Sequence, residues 1–123
     1  MSRKRLALLT IERGNGSKVG AHMPSFYLIV RYGRVEHFFL ASGANAYDAL
    51  KGQLAEIASH FELKFPAGRT IQMEIGCRGH AMGATVIVKK GRTQITASAH
   101  YGNDYHLAGA FALIRALDRY IAA

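Results

Sequence analysis

Two short polar clusters in this sequence could bind a charged ligand, and both stand where a helix is predicted to begin. The first cluster is Gly43, Ala44, Asn45 and Asp48, and the second is Gly102, Asn103 and Asp104. Free backbone N–H groups and the helix dipole make a helix N-terminus a receptor for anions. An amino acid would offer its carboxylate to the N–H groups and its ammonium group to Asp48 or Asp104. Simple helix capping requires the same residue types, so both interpretations remain open.

Basic side chains form a second kind of candidate site, at two predicted hairpin turns. The residues are Arg31 and Arg34 at the first turn and Lys89, Lys90 and Arg92 at the second. Two basic turns in equivalent places could straddle the phosphate backbone of a nucleic acid. The charge of the whole chain favours the same partner, because 16 Lys and Arg face 8 Asp and Glu, a net charge of +8. Solvated turns also carry Lys and Arg, so the charge alone does not decide.

The remaining composition bears on location and partners. No apolar run approaches the ~18 residues that a membrane-spanning helix needs, so we expect no membrane partner. Cys77 is the single cysteine. It cannot form an internal disulfide framework, and this cysteine usage fits a reducing, cytoplasmic compartment.

Patterns typical of catalysis and of metal binding do not occur in the sequence. The six histidines include no pair at the helical i, i+4 spacing. A nucleophile elbow, a P-loop and a paired-carboxylate spacing are also missing. The sequence therefore predicts a protein that is not an enzyme, with no catalytic residues, no metal and no cofactor.

Alternating apolar and polar residues predict strands in two groups of three. The predicted strands are Arg5–Glu12, Ser25–Tyr32, Arg34–Ala41, Thr70–Cys77, Ala84–Lys90 and Arg92–His100. A helix is predicted after each group, because apolar residues recur there at steps of three and four. Asn45 is expected to cap the first helix, which runs to Phe61, and Asn103 to cap the second. A loop is expected from Arg78 to Gly83.

The sequence repeats itself. Residues 29–47 align without a gap on residues 87–105, at an offset of 58 positions. The aligned pairs include Gly33 with Gly91, at the centres of the two predicted turns. A constant offset over 19 positions indicates an internal duplication.

The duplication predicts the architecture. One three-stranded sheet with one helix leaves apolar surface uncovered, and two copies can bury these surfaces against each other. We therefore predict a single α+β domain over residues 1–123, composed of two βββα units, 5–64 and 69–123. Its antiparallel sheets pack with two helices about an internal pseudo-two-fold axis.

Three stretches carry a family resemblance: SGANAYDAL at 42–50, HAMGATVIVKK followed by a Gly-Arg turn at 80–92, and GNDYHLAGA opening the last helix at 102–110. In these the chain resembles the C-terminal regulatory domain of 2-isopropylmalate synthases and citramalate synthases, here as a stand-alone chain. The family's Asn-Gly-Pro in the first stretch is Ala44-Asn45-Ala46 in this chain.

The resemblance implies a function. Such a domain is an allosteric, non-enzymatic module that senses an amino acid or pairs subunits. By resemblance we expect a homodimer that binds a branched-chain amino acid at the two helix N-termini, or that contacts a partner enzyme.

A second resemblance gives the alternative. Residues 34–123 are also predicted as β-α-β-β-β-α, and the stretch 95–105 resembles bacterial ribosome-hibernation factors, which implies RNA binding through basic residues. The alternative is therefore a basic protein that binds RNA, DNA or the ribosome through the two basic turns. Salt separates the two functions, since phosphate binding weakens steeply as salt rises.

Overall fold

The computed structural model of the protein describes residues 3–14, 24–78 and 81–123. Within these residues the strands are β1 Leu6–Arg13, β2 Ser25–Tyr32, β3 Val35–Ser42, β4 Gln72–Arg78, β5 Ala81–Lys90 and β6 Thr93–His100. The helices are α1 Ala46–Gly52, α2 Leu54–Phe61 and α3 Tyr105–Ala122, with a short 3-10 helix at Gly68–Thr70. All six predicted strands are confirmed, and their ends differ from the prediction by at most three residues.

The six strands form two separate antiparallel sheets, each with its strands in chain order. The first sheet is β1-β2-β3 and is followed by α1 and α2, whereas the second is β4-β5-β6 and is followed by α3. This arrangement confirms the predicted α+β class and is consistent with a duplicated βββα unit.

The two hairpins that contain the sequence repeat have the same register. Gly33 and Gly91 both occupy the turn with φ of 63°, a left-handed conformation that costs glycine little. Equivalent cross-strand pairs are Tyr27–Leu40 and Thr85–Ser98, Ile29–Phe38 and Ile87–Thr96, and Arg31–Glu36 and Lys89–Gln94. Each pair of the first hairpin corresponds to a pair 58 positions later, so the sequence alignment marks structurally equivalent positions.

The helices connect the two sheets. Helix α3 packs on β5 and β6 and also contacts β1, whereas α1 packs on the first sheet and against α3. Leu28, Leu50 and Leu113 are fully buried in the shared core, and each contributes about 2 kcal/mol through burial. No helix among the described residues has the length and apolar character needed to cross a membrane.

The first predicted helix is divided into two. Helix α1 ends at Gly52 and α2 begins at Leu54, whereas the apolar periodicity predicted one helix as far as Phe61. The N–H group of Gln53 bonds to the carbonyl of Leu50, three residues back, at 3.0 Å. This tighter turn follows a glycine, the weakest helix former after proline, and interrupts the regular helical hydrogen bonding.

The prediction that Asn103 caps α3 is wrong, because Asp104 is the capping residue. The Asp104 carboxylate accepts the N–H of Leu107 at 3.0 Å. Gly102 has φ of 49°, and this left-handed residue leaves Asn103 in the turn before the helix. Asp and Asn are equally good caps, so local sequence did not distinguish them.

The predicted loop at Arg78–Gly83 is also wrong at most of its positions. Strand β4 runs to Arg78 and β5 begins at Ala81, while residues 79 and 80 lie outside the described part of the chain. Gly83 pairs with Gly76 on one side and His100 on the other. Small residues indicated a turn here, but pairing on both sides satisfies the backbone groups of the segment.

Candidate nucleic-acid interface

A solvent-open groove of about 880 Å³ lies between the N-terminal segment and the tip of the β2–β3 hairpin. Its cationic lining residues are Arg3, Lys4, Arg5, Arg31 and Arg34. Among the described residues that line it, Glu36 is the one acidic residue. We call this surface the basic groove. Even with Glu36 in the lining and Asp118 bonded to Arg3, the five cations leave the groove with a net positive charge, which attracts an anionic partner.

The turn glycine of the first hairpin holds the groove together. Gly33 donates its N–H to the carbonyl of Arg5 at 3.0 Å, which fixes the N-terminal segment against the hairpin tip. A Cβ on Gly33 would lie 3.1 Å from Cγ of Lys4. The Lys4 ammonium group lies 5.7 Å from the centroid of the Tyr32 ring. Glycine therefore allows the positive φ and also the close approach of the lysine stem.

A buried carboxylate anchors the same segment to α3. Asp118 is 8 % exposed and accepts two hydrogen bonds from the Arg3 guanidinium, both at 2.9 Å. It also accepts the N–H of Leu6 at 2.9 Å, and an Arg5 nitrogen lies 4.0 Å away. Arg3 is therefore committed to the fold, whereas the Arg5 side chain is 75 % exposed.

The same contacts set the protonation of Asp118. Burial acts to raise the pKa of this carboxyl group. The hydrogen bonds from Arg3 and from the Leu6 N–H, with the charges of Arg3 and Arg5, outweigh burial and leave the pKa below its ordinary value. Asp118 is therefore a carboxylate at neutral pH and holds Arg3 near the end of α3.

The second basic turn reaches the same end of α3. Lys90 donates to the carbonyls of Tyr120 and Ala123, both at 2.8 Å, and its ammonium lies 4.8 Å from the Tyr120 ring centroid. A cation at a helix C-terminus stabilises the helix through its exposed carbonyl groups. Asp118 bonds to Arg3 of the basic groove, and the Tyr120 carbonyl bonds to Lys90 of the second basic turn. The C-terminal end of α3 therefore connects these two basic surfaces.

Only some of the predicted basic residues remain available to a ligand. The side chains of Arg31 and Arg34 are exposed and make no hydrogen bond or ion pair with the described residues, and the same holds for the side chains of Lys89 and Arg92. Lys90, like Arg3, is instead held by hydrogen bonds within the fold. Arg34 and Arg92 lie in the two turns, whereas Arg31, Lys89 and Lys90 lie at the ends of the adjoining strands. The sequence did not show which of these cations the fold uses.

The first polar cluster is internally satisfied. The Asn45 side-chain oxygen accepts the N–H of Asp48 at 2.9 Å, and its amide nitrogen donates to the Asp48 carboxylate at 3.1 Å. Gly43 is buried, and a Cβ there would lie 2.5 Å from the backbone nitrogen of Ala49. Ala44 is exposed. Asn45 therefore caps α1 as predicted, and Gly43 allows the loop to contact the helix.

The second polar cluster is similarly occupied. The Asp104 carboxylate accepts the Leu107 N–H, while Gly102 and Asn103 form an exposed turn before α3. No hydrogen bond between described residues joins this cluster to the first. Each predicted ligand site thus has an aspartate at the start of a helix, Asp48 in the first turn of α1 and Asp104 at the N-cap of α3. The carboxylate of a bound amino acid would be repelled by that negative charge.

Sequence reasoning missed other side chains that the fold brings together. His37 and His60 stack with ring centroids 3.6 Å apart, and both contact Phe39, which joins α2 to β3. Tyr47 is buried, and burial together with the Asp48 charge raises the pKa of its hydroxyl. His60 lies 23 positions after His37 and 21 positions after Phe39, and the raised pKa of Tyr47 depends on burial, so no local pattern could have indicated these contacts.

Comparison with known proteins gives no further guide to identity. The sequence matches no protein-family model. It also matches none of the curated proteins. A function for this chain must therefore be argued from its own groove, charges and exposed side chains.

Proposed function

We propose that this protein binds nucleic acid through the phosphate backbone, and that the basic groove is the contact surface. One observation carries the proposal: Arg31 and Arg34 line the groove, are exposed, and have no partner among the described residues. An unpaired guanidinium group retains five N–H donors in a planar fork that matches phosphate oxygens.

The second basic turn extends this surface. Lys89 and Arg92 are exposed beside Lys90, which is anchored to the C-terminal turn of α3. Together with Lys4 and Arg5 they can supply several phosphate contacts in addition to the two arginines. Each contact with a single strand steepens the dependence of log K on log salt by about 0.7, and each contact with a duplex by about 0.9.

The direct test removes the two unpaired guanidinium groups. The Arg31→Gln/Arg34→Gln variant should bind a fluorescently labelled oligonucleotide about tenfold or more weakly at 0.1 M salt, because two phosphate contacts are lost. The slope of log K against log salt should become shallower by about 1.5. Fluorescence anisotropy over a salt series measures both quantities.

A matched control separates the groove from bulk charge. The Lys64→Gln/Arg69→Gln variant loses the same two charges from exposed positions in the α2–β4 connection, outside the groove. It should retain nearly the wild-type affinity and salt slope. Equal losses in the two variants would show that net charge, rather than the groove, attracts the nucleic acid.

A second candidate function is amino-acid sensing or dimerisation, and the fold favours it. Two three-stranded antiparallel sheets, each followed by helices, are what the resemblance to the synthase regulatory domain implies. In this hypothesis the ligand ammonium contacts Asp48 or Asp104. A homodimer, a branched-chain amino acid ligand, a partner enzyme and a cytoplasmic location all remain predictions.

Thermal unfolding with each of the twenty amino acids tests the second candidate. A true ligand present well above its dissociation constant raises the unfolding midpoint. The Asp48→Ala/Asp104→Ala variant should lose that shift if the two carboxylates bind the ammonium group. A shift that persists unchanged in the variant would place the ligand elsewhere.

A further inference from the structure

The outer face of the first sheet carries exposed apolar side chains in its centre. Tyr27, Phe38 and Leu40 are 40 %, 54 % and 57 % exposed, and Ile29 lies beside Tyr27 on the same face of β2, opposite Phe38. The Tyr27 and Phe38 rings stack, with centroids 5.6 Å apart and planes inclined by 29°. We call these four residues the aromatic face. Exposed aromatic rings of this kind form a platform on which a flat ligand can stack.

The internal repeat shows that the fold does not require this face. The positions equivalent to Tyr27, Phe38 and Leu40 in the second sheet are Thr85, Thr96 and Ser98. There the Thr85 and Ser98 hydroxyls bond to each other at 2.7 Å. The second sheet thus forms the same backbone register with polar residues at these three positions, although Ile87, equivalent to Ile29, is apolar. Large exposed apolar side chains in the first unit therefore call for a contact that the second unit does not make.

The aromatic face is continuous with the basic groove. Arg31 lies on the same outer face of β2, two positions beyond Ile29, and pairs across the strands with Glu36. Side chains two positions apart on one face of a strand are about 6.6 Å apart. The Arg31 side chain is therefore the next one along β2 after the aromatic face. A strand of nucleic acid could place phosphates at Arg31 and Arg34 and bases on Phe38 and Tyr27.

We propose that the nucleic acid is single-stranded, and that its bases stack on Tyr27 and Phe38 while its phosphates lie in the basic groove. The inference rests on the proposed function. Stacking favours a single strand, because bases within a duplex do not present their faces to protein side chains. Aromatic platforms beside a positively charged groove bind single strands with little preference for sequence.

The first test uses the wild-type protein with two matched ligands. A labelled oligothymidylate should bind about tenfold or more tightly than an abasic strand of equal length and phosphate count, because stacking contributes at each base. Equal affinity of the two strands would overturn the stacking proposal and leave phosphate binding in the groove intact. Binding of neither strand, at low salt, would instead contradict the proposed function itself.

Variants then locate the stacking surface. In the Tyr27→Thr/Phe38→Thr variant, the outer face acquires threonines like those that the second unit carries at these positions. Its affinity for oligothymidylate should fall about 10- to 100-fold, whereas its affinity for the abasic strand should not change. The Ile75→Thr variant removes an exposed apolar side chain from β4, in the other sheet, and should leave both affinities unchanged.

Another partner for this face is a second copy of the chain, and sedimentation distinguishes it. If the threonine variant turns a dimer into a monomer while oligothymidylate affinity is unchanged, the face is a dimer interface and the stacking proposal is wrong. If the variant fails to fold, the ring resonances of Phe38 in the wild-type protein decide. They should shift upfield with oligothymidylate, and their constancy at saturation would overturn the proposal.

Discussion

The Asp118→Ala substitution should lower the free energy of unfolding by about 3 kcal/mol. It removes the acceptor for the Leu6 N–H and for both Arg3 hydrogen bonds, each at 2.9 Å in the structure. The buried N–H group would lose its partner, and the guanidinium group would lose its counter-charge. Chemical denaturation of both proteins at pH 7 measures the difference. A loss below about 1 kcal/mol would mean that this contact contributes little to the fold.

The Asp118→Asn variant isolates the charge. Its side-chain oxygen can still accept the Leu6 N–H, so the loss at pH 7 should be smaller than that of the alanine variant. The folded pKa of Asp118 is lowered, so its stabilising contribution is present above the unfolded value of about 4. It is lost as pH falls through the lower, folded pKa. The stability difference between wild type and Asp118→Asn should therefore shrink below about pH 4, and a constant difference would contradict this account.

The Gly43→Ala substitution should lower the free energy of unfolding by about 2–3 kcal/mol. A Cβ at this position would lie 2.5 Å from the Ala49 nitrogen and 2.8 Å from the Ala49 Cα. Both atoms belong to the backbone of α1, so no side-chain rotation can relieve the clash. Movement of the loop would also strain the bond from the Gly43 N–H to the carbonyl of Pro24.

The Gly52→Ala substitution is the matched control. Apart from its chain neighbours and the backbone of α1 itself, no atom of the described residues lies within 4 Å of a Cβ at this position, the last residue of α1. Alanine there should raise stability by about 0.5–1 kcal/mol, since glycine is a poor helix former. Thermal or chemical unfolding should therefore show a change in the free energy of unfolding of opposite sign for the two variants. A neutral Gly43→Ala variant would show that the loop can move away from α1.

Much of the fold could be predicted because its signals are local. Alternation identified the strands, and the glycines at the two turns identified the hairpins. The constant offset of the repeat then grouped them into two units, and the shared hairpin register bears this out. The helix boundaries were less certain, because Gly52 and the Gly102 turn act over one or two residues that apolar periodicity does not detect.

The site was only partly predictable, because its contacts join distant parts of the chain. The basic turns stood out by residue type. Yet Arg3 bonds to a residue 115 positions further along the chain, Asp118, and Lys90 bonds to one 33 positions further along, Ala123. No local pattern separates these anchored cations from Arg31 and Arg34, whose side chains have no partner in the part of the chain that the structure describes. Alternation predicted the strands β2 and β3 but not the aromatic face, whose exposure depends on what the fold leaves uncovered. The equivalent registers then showed that the second sheet forms with polar residues at three of these positions.

An oligothymidylate titration followed by backbone amide resonances tests the central claim most directly. The protein has 123 residues and a mass of 13.5 kDa, within easy reach of this method. The backbone amides of the turn glycines Gly33 and Gly91 report on the basic groove and on the second basic turn, respectively. We expect progressive shifts at Gly33, Arg34 and Val35, with small changes at Gly102 and Asp104. Shifts confined to the helix N-termini, or no shifts at saturating oligonucleotide and low salt, would contradict binding in the basic groove.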